Sequence, residues 1–285
     1  MQPFVLLYDI VAMIKYPNAK INIGLQITEK LSSGYHNISS CIVPINFVDI
    51  LEINVSDKDN INMSGISIGN DNIEENLCYK AIQLLRKDFE IPQLSVNLHK
   101  NIPSGAGLGG GSADAAFTLK ILNSLLNLNC GENKLQYYAS KIGSDCPFFI
   151  RNKPCIVSGT GTEMTEINLD LSNYQVVLVF PEIKISTKSA YGMVVPKKSS
   201  FDISQITDLP VLEWKNHLHN DFETPIFKLY PVLQQLKDRM YDEGALYAAM
   251  SGSGSAIYGI FDKSCKIGKL SEFEQKNTLF GSHFE

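Results

Sequence analysis

Residues 101–114 read NIPSGAGLGGGSAD, and Gly105, Gly107, Gly109, Gly110 and Gly111 set five glycines between two patterned segments. Glycine loses more conformational freedom on folding than any other residue, so this density needs a physical cause. Upstream, LSVNLH at 94–99 alternates as a strand does, with His99 on its polar side. Downstream, Ala115, Leu119, Leu122 and Leu126 mark one face of a helix. A flexible linker does not run straight into an apolar-periodic helix. A strand, a glycine loop and a helix together aim backbone N–H groups and the helix's positive end at a polyanion. Ser112 stands at the helix mouth, where its hydroxyl could cap the helix, touch a phosphate or join a metal ion's shell.

The loop is not a Walker A motif, because no G-x-x-x-x-G-K-[ST] is present. Gly105, Gly107 and Gly110 satisfy G-x-G-x-x-G, but a dinucleotide fold also needs an acidic residue at the end of a second strand, about 20 positions on. Glu132 has the spacing and falls between two expected helices, which disfavours a dinucleotide site. With 25 Lys+Arg against 30 Asp+Glu, the net charge of −5 argues against broad binding to nucleic acid or to an anionic membrane. Six scattered cysteines and five histidines form no C-x-x-C pair and no zinc-like cluster, so free thiols in a reducing compartment are expected. No run approaches the roughly 20 apolar residues of a membrane helix, and the start lacks the pattern of a signal peptide. Met13 is a plausible alternative start.

Residues 19–28, AKINIGLQIT, alternate strictly, with Ile21, Ile23, Leu25 and Ile27 on one side and Lys20, Asn22, Gly24 and Gln26 on the other. That period predicts a half-buried strand whose polar face carries Lys20 and Asn22. A turn at Ser32-Ser33-Gly34 precedes Tyr35 and His36, and strand-like sequence continues from Ile38 to Val55. Asn72-Ile73-Glu74-Glu75 reads as a capping box for a helix that buries Leu77, Ala81, Leu84 and Leu85. Leu135, Ala139 and Ile142 mark another helix, closed by Gly143. Tyr174–Phe180 reads as a core strand, and Val232, Leu233, Leu236 and Met240 as a helix face ended by Gly244. Leu246–Met250, the SGSGS turn at 251–255 and Ala256–Phe261 read strand, turn, strand. At roughly 150 residues per domain, 285 residues suggest two domains. Strands and helices mix without strict alternation, which indicates an α+β fold.

IPSGAGLGGGSADAA resembles the phosphate loop of the kinase superfamily shared by galactokinase, homoserine kinase, mevalonate kinase and phosphomevalonate kinase. PNAKINIGL at 17–25, SGYHNI at 33–38, GSDCPFF at 143–149 and SGSGSAIYG at 251–259 resemble, in order and spacing, its 4-diphosphocytidyl-2-C-methyl-D-erythritol kinase family. The resemblance implies an α+β fold of two domains, an S5-like α/β domain over 1–155 and a ferredoxin-like domain over 156–285, with the site between them. It implies phosphorylation of a hydroxyl of the cytidine-diphosphate-linked methylerythritol, giving the 2-phosphate, in non-mevalonate isoprenoid synthesis. ATP and Mg²⁺ are the implied cofactors. A cytoplasmic enzyme is implied, monomeric or weakly dimeric, with a small-molecule substrate and neither nucleic acid nor membrane as partner.

The resemblance also implies roles. Lys20 and Asp145 match the catalytic pair. Pro103, Ser104, Gly105, Ala106, Gly107, Leu108, Gly109, Gly110, Gly111, Ser112 and Ala113 match the ATP loop. Asn22, Tyr35 and His36 match positions lining the cytidine and acceptor pocket, and Thr187 and Tyr191, in KISTKSAY, match a threonine and a base-stacking aromatic. The family's loop usually ends in two serines; here the second is Ala113, followed by Asp114.

Each residue also has a plainer reading. Asp145 could be a helix N-cap, with Pro147 at an early helical position. Lys20 could be a solvated lysine on a strand. Tyr35 and His36 could be a turn aromatic and a surface histidine, and Asn220-Asp221-Phe222-Glu223 a helix start explained by capping alone. On the chemical reading, Asp145 takes the acceptor hydroxyl's proton and Lys20 stabilises the developing negative charge. A cytosine ring held between Tyr35 and Tyr191 is the sharpest structural expectation. The alternatives are a superfamily kinase with another acceptor, a dinucleotide-dependent oxidoreductase and a non-catalytic nucleotide-binding protein.

Overall fold

The computed structural model describes residues 12–66, 73–199 and 201–281. Three four-stranded sheets organise them. The first joins β1 (Met13–Lys15), β4 (Ile50–Val55), β6 (Leu94–Lys100) and β5 (Asn60–Gly65) in that order, with β5 parallel to β6. The second joins β2 (Asn18–Lys30), β3 (His36–Val48), β7 (Cys155–Ser158) and β8 (Glu163–Glu166). The third joins β10 (Tyr247–Met250), β11 (Ile257–Asp262), β9 (Tyr174–Phe180) and β12 (Glu274–Leu279). The expected division near residue 155 falls at the start of β7, which hydrogen-bonds to β3.

Helices α1 (Leu77–Leu85), α2 (Gly110–Leu125), α3 (Glu132–Ile142) and α4 (Cys146–Arg151) share one core with Leu51, Ile53, Leu94, Val96 and Leu98 of the first sheet. Ile21, Ile23, Cys41, Val43 and Ile45 of the second sheet pack on Val176, Leu178, Tyr258 and Ile260 of the third. The third sheet's other face packs on α5 (Thr187–Met193), α7 (Glu223–Leu229) and α8 (Pro231–Asp242). A four-residue α6 (Trp214–His217) carries the buried Trp214.

Several local expectations change. Strand β2 is buried on both faces from Asn18 to Ile27: the glycine loop lies against Lys20, while Gly24 faces Ile203 and Leu218 and Gln26 donates to Phe201 O. A register shift between Ile23 and Leu25 breaks the expected alternation, so that Ile21 and Ile23 pack in one core and Leu25 and Ile27 in another. The strand-like stretch from Ile38 to Val55 is two strands, broken at the buried Asp49. Helix α1 is capped by Asn76, whose Oδ1 accepts from Cys78 N at 2.8 Å; Asn72 of the expected capping box lies outside the described residues. Gly143 does end α3, but with φ −172°, an extended conformation open to any residue, and not as a left-handed cap.

One buried cluster fixes the geometry beneath the loop. The Lys100 ammonium, at the end of β6, donates to Asp114 Oδ2 at 2.6 Å and to Asp49 Oδ2. Asp49 Oδ1 accepts from the N–H groups of Asn101 (2.6 Å) and Ile102 (2.9 Å), and the Asp49 N–H donates to Pro17 O at 2.8 Å. A Cβ on Gly110 would lie 3.3 Å from Lys100 Nζ, so the ammonium sits directly behind the first residue of α2. One cation thus ties the end of β6, the β3–β4 corner and the first turn of α2.

Two carboxylates share that cation, and Asp114 Oδ1 is buried without a hydrogen-bond partner among the described residues. Burial first, and then the charge of Asp49, push the Asp114 carboxyl up to about 7 against the opposing pull of Lys100. An unfolded aspartate titrates near about 3.9. Between these values the folded chain binds more protons than the unfolded one, so this group's effect is to lower stability as pH rises through that window. Asp114→Asn removes the effect. Urea unfolding of both chains at about pH 5 and about pH 8 should show the parent losing more stability than the variant over that interval. A pH-independent gap between the two chains would contradict the assignment.

Candidate active site

Lys20 and Asn22 lie two apart on β2, so they share a face, and that face forms the floor of a cleft. Gly105, Gly107, Gly109 and Ser112 line one wall, and Gly143, Ser144 and Asp145 close one end. Gly252, Ser253, Thr187, Tyr191 and Phe222 face them from the second half of the chain. The cleft holds about 320 Å³ and adjoins a lobe of about 410 Å³ around Lys30, Gly34, Tyr35, His36 and Lys188. Ser144, Thr160, Thr187 and Tyr191 border both, so the two are immediate neighbours.

The loop's alternation explains its composition. Gly105, Gly107 and Gly109 take φ of +73°, +81° and +74°, while Ala106, Leu108 and Gly110 between and after them are buried. A side chain on Gly109 would press on Phe149 and Lys20, its Cβ lying 2.9 Å from Phe149 Cζ and 3.1 Å from Lys20 Cγ. A Cβ on Gly107 would lie 1.9 Å from the carbonyl oxygen of Ser251. The loop is therefore clamped between β2, through Lys20 N–H to Leu108 O at 2.9 Å, and the 251–255 turn, through Ser251 Oγ to Gly107 O at 2.8 Å and Ala256 N–H to Ala106 O at 3.1 Å.

Lys20 is 4% exposed, not solvated. Its ammonium donates to Asn22 Oδ1 at 2.6 Å and stands 3.7 Å from Asp145 Oδ2. Burial pulls its pKa below the usual lysine range, and the Asp145 carboxylate opposes that pull. Asn22 is held in turn: its Nδ2 donates to Ser40 Oγ at 2.9 Å, and its carbonyl accepts from Tyr258 OH at 2.7 Å. Asp145 occupies the N-cap position of α4 but makes no side-chain capping bond among the described residues. Its carboxylate, 42% exposed, faces Lys20 and the cleft. Burial pushes the Cys146 thiol at the start of α4 up to about 11, against an opposing effect of the Ser112 side chain.

The outer lobe brings together Tyr35, His36, Thr187 and Tyr191. Tyr35 is 68% exposed at its mouth. It is His36 that stacks on Tyr191, with ring centroids 5.0 Å apart and an interplanar angle of 20°. Phe222 meets Tyr191 edge-on at 4.9 Å. Thr187 Oγ1 lies 3.1 Å from Ser253 Oγ, joining the first residue of α5 to the 251–255 turn. Pro103, Ser104, Gly111 and Ala113 belong to the loop but do not line the cleft; Ser104 is exposed and Ala113 buried.

The sequence reading missed several wall residues. Ile42, Val157, Thr160 and Gly161 come from β3, β7 and the turn before β8, and Phe222 precedes α7. The SGTGT run at 158–162, a second glycine turn, was the available signal for Thr160 and Gly161. Glu132 opens α3 and pairs with Arg151 at 2.7 Å, so it is not the strand-end acid that a dinucleotide fold needs.

The models of the GHMP kinases N terminal domain and the GHMP kinases C terminal match residues 76–153 and 211–269. A 4-diphosphocytidyl-2-C-methyl-D-erythritol kinase of Bacteroides fragilis is 46% identical over 266 residues, covering 92% of this chain and 96% of that protein. The crystal structure of a 4-(cytidine 5'-diphospho)-2C-methyl-D-erythritol kinase superposes with TM-score 0.79 at 26% identity, covering 94% of this chain and 99% of the other. The fold is also that of a homoserine kinase from Cytophaga hutchinsonii, with TM-score 0.74, 17% identity and coverage of 100% and 99%.

The clamp on the loop makes two glycines unequal. Gly105→Ala meets nothing within 4 Å among the described residues and should cost about 1 kcal/mol for its left-handed backbone. Gly107→Ala must also push Ser251 away and should cost at least about 2 kcal/mol more. Denaturant unfolding of the two variants checks the order; equal losses would show that the loop and the turn are not in contact.

Proposed function

This chain belongs to the GHMP kinases and, within them, to the 4-diphosphocytidyl-2-C-methyl-D-erythritol kinases, and on that premise we propose that it transfers the terminal phosphoryl group of ATP to the 2-hydroxyl of that nucleotide-linked sugar alcohol, in the non-mevalonate route to isoprenoids. The observation that carries the reading is the buried Lys20 ammonium, held by Asn22, set 3.7 Å from Asp145 and packed against the glycine loop in one cleft.

Phosphoryl transfer asks a protein mainly for positioning and for stabilisation of charge. The N–H groups around Gly105–Gly111 and the first turn of α2 take the nucleotide phosphates, and Ser112 adds a hydroxyl. Backbone groups supply most of such a cradle, so the alanine at position 113, buried against the core, removes little. Asp145, free of any capping bond among the described residues, accepts the proton of the attacking hydroxyl. Lys20 sits where its charge meets the negative charge that grows on the transferring group.

The described residues hold no group of three or more His, Cys, Asp or Glu side chains suited to a metal. A Mg²⁺ ion held chiefly by nucleotide phosphates would need one or two protein oxygens, and Asp145 and Ser112, which line the cleft, would supply them. When bound, the ion neutralises phosphate charge.

The cytidine end of the acceptor belongs in the outer lobe. A base taken between Tyr35 and Tyr191 has to meet the His36 ring that already stacks on Tyr191; a displaced imidazole then turns its nitrogens toward the base edge. Burial, with Lys30 second, holds the His36 pKa below its usual value, so the ring is neutral near pH 7 and carries both a donor and an acceptor. The same reading takes the chain as two domains, over 1–155 and 156–285, and as a cytoplasmic enzyme, monomeric or weakly dimeric. No helix among the described residues is long and apolar enough to cross a membrane.

ADP release measured with Mg²⁺-ATP and a panel of diphosphocytidyl methylerythritol, galactose, homoserine and mevalonate tests the reading. Turnover should require the cytidine-linked acceptor, and Asp145→Asn should lower kcat by about 10²–10⁴-fold with ATP KM little changed. Turnover with a different acceptor would keep the kinase and overturn the pocket assignment. Tyr35→Ala combined with Tyr191→Ala should raise the acceptor KM by at least about tenfold, from the loss of stacking, and leave the ATP KM nearly unchanged. An equal loss of both affinities would place the aromatic pair elsewhere in the mechanism.

A further inference from the structure

Outside the residues assigned above, Asn220 is the buried polar side chain most heavily bonded to the walls of the cleft. It is 2% exposed. Its Oδ1 accepts from Phe222 N–H at 3.0 Å, closing a turn just ahead of α7, whose N-cap is Phe222 and not Asn220. Its Nδ2 does something that such a turn does not require: it donates to Met250 O at 2.8 Å and to Gly252 O at 2.7 Å. Both amide protons are spent on one turn, at the carbonyls either side of Ser251. The backbone beside Asn220 is bonded to β2, through Leu25 N–H to His219 O at 2.9 Å and Asp221 N–H to Leu25 O at 2.8 Å.

The turn that Asn220 holds is a wedge between the two reacting sides of the cleft. A Cβ on Gly252 would lie 3.4 Å from Gly107 Cα and 3.5 Å from Asn22 Oδ1. Asn22 Oδ1 is the atom that receives the Lys20 ammonium. The side of Gly252 where a Cβ would stand therefore faces both the glycine loop and the partner of Lys20, with room for little more than a methyl group between them. We propose that Asn220 is a positioning residue that sets, through Gly252, the gap between the phosphate loop and the Lys20–Asn22 floor.

Only asparagine fits this place. Two carbonyl oxygens need two N–H donors, and the Phe222 N–H needs an acceptor, on one short planar group. Aspartate turns an oxygen toward both carbonyls, and alanine leaves three buried polar groups unpaired. Reacting groups displaced by about 1 Å lose about a hundredfold in rate while the ligands still bind. A positioning role therefore acts on kcat, whereas a purely structural role acts on the amount of folded protein.

The inference rests on the kinase reading above for its kinetic readout. Asn220→Ala and Asn220→Asp are compared with the parent chain for kcat and for both KM values between about pH 5.5 and about pH 8.5. The charged and titratable groups near this position are Asp221, Glu223 with its partner Lys237, His219 and Lys197. Against two carbonyls and these two carboxylates, the carboxyl of N220D titrates upward and, once protonated, restores one donor. Asn220→Ala should lose about 10–100-fold in kcat across the range, with the ATP KM within about threefold of the parent. N220D should match that loss at high pH and regain at least about tenfold as pH falls, relative to N220A. Equal pH profiles for the two variants, or kcat within about threefold of the parent in both, would overturn the proposal. Should N220A not fold, N220D against the parent decides alone by the same low-pH recovery. A parent chain that phosphorylates no acceptor overturns the kinase reading together with the proposal; an active parent with indifferent variants overturns the proposal only.

Discussion

A single ammonium group buried between two carboxylates underlies the architecture of the cleft. Lys100 ends the strand that leads into the glycine loop, Asp114 stands in the helix that follows it, and Asp49 stands at the corner between β3 and β4. Asp49 also collects the N–H groups of Asn101 and Ile102, so the first residues of the loop leave the strand in one direction only. Burying three charges is expensive, and a cluster of this kind is a poor source of net stability. Its value here is geometric. Five glycines would otherwise leave the entry and exit of the loop free to swing, and the cluster fixes both ends from behind while leaving the cleft-facing N–H groups uncovered.

The loop's remaining freedom is removed from the front. Leu108 O is taken by β2, and Ala106 O and Gly107 O by the 251–256 segment. These bonds engage carbonyl groups and leave donors for an anion, as a phosphate cradle requires. Alternate glycines in left-handed conformations rotate successive peptide groups, so that Gly105, Gly107 and Gly109 face the cleft while Ala106 and Leu108 anchor in the core. The rigidity of the site thus comes from its surroundings, although its own sequence is the most permissive in the chain.

Local pattern was legible in the sequence; long-range cover was not. Alternation through residues 19–28 put Lys20 and Asn22 on one face, and the 3.6-residue period marked α2, α3 and α8. Alternation cannot say what lies opposite a polar face, and in β2 that face is covered at Lys20 by a loop that begins more than eighty positions later. Asp145 could be placed at a helix start but not oriented, because a cap residue may use its side chain or leave it free. Asn220 was legible only as a cap, since its two bonds to Met250 and Gly252 span about thirty residues and carry no local signature. The stacking of His36 on Tyr191 likewise joins residues far apart in the chain.

The bonds from β2 to His219 and Asp221, and from the loop to Ser251 and Ala256, have a consequence for how the protein comes into being. Contacts of such long sequence separation form late, after the entropy of closing large loops has been overcome. During synthesis the glycine loop emerges early and must wait, unbraced, until the last part of the chain has left the ribosome. The glycine loop is therefore completed by the final third of the sequence. A nascent or truncated chain has the loop's amino acids without the bonds that give the loop its shape.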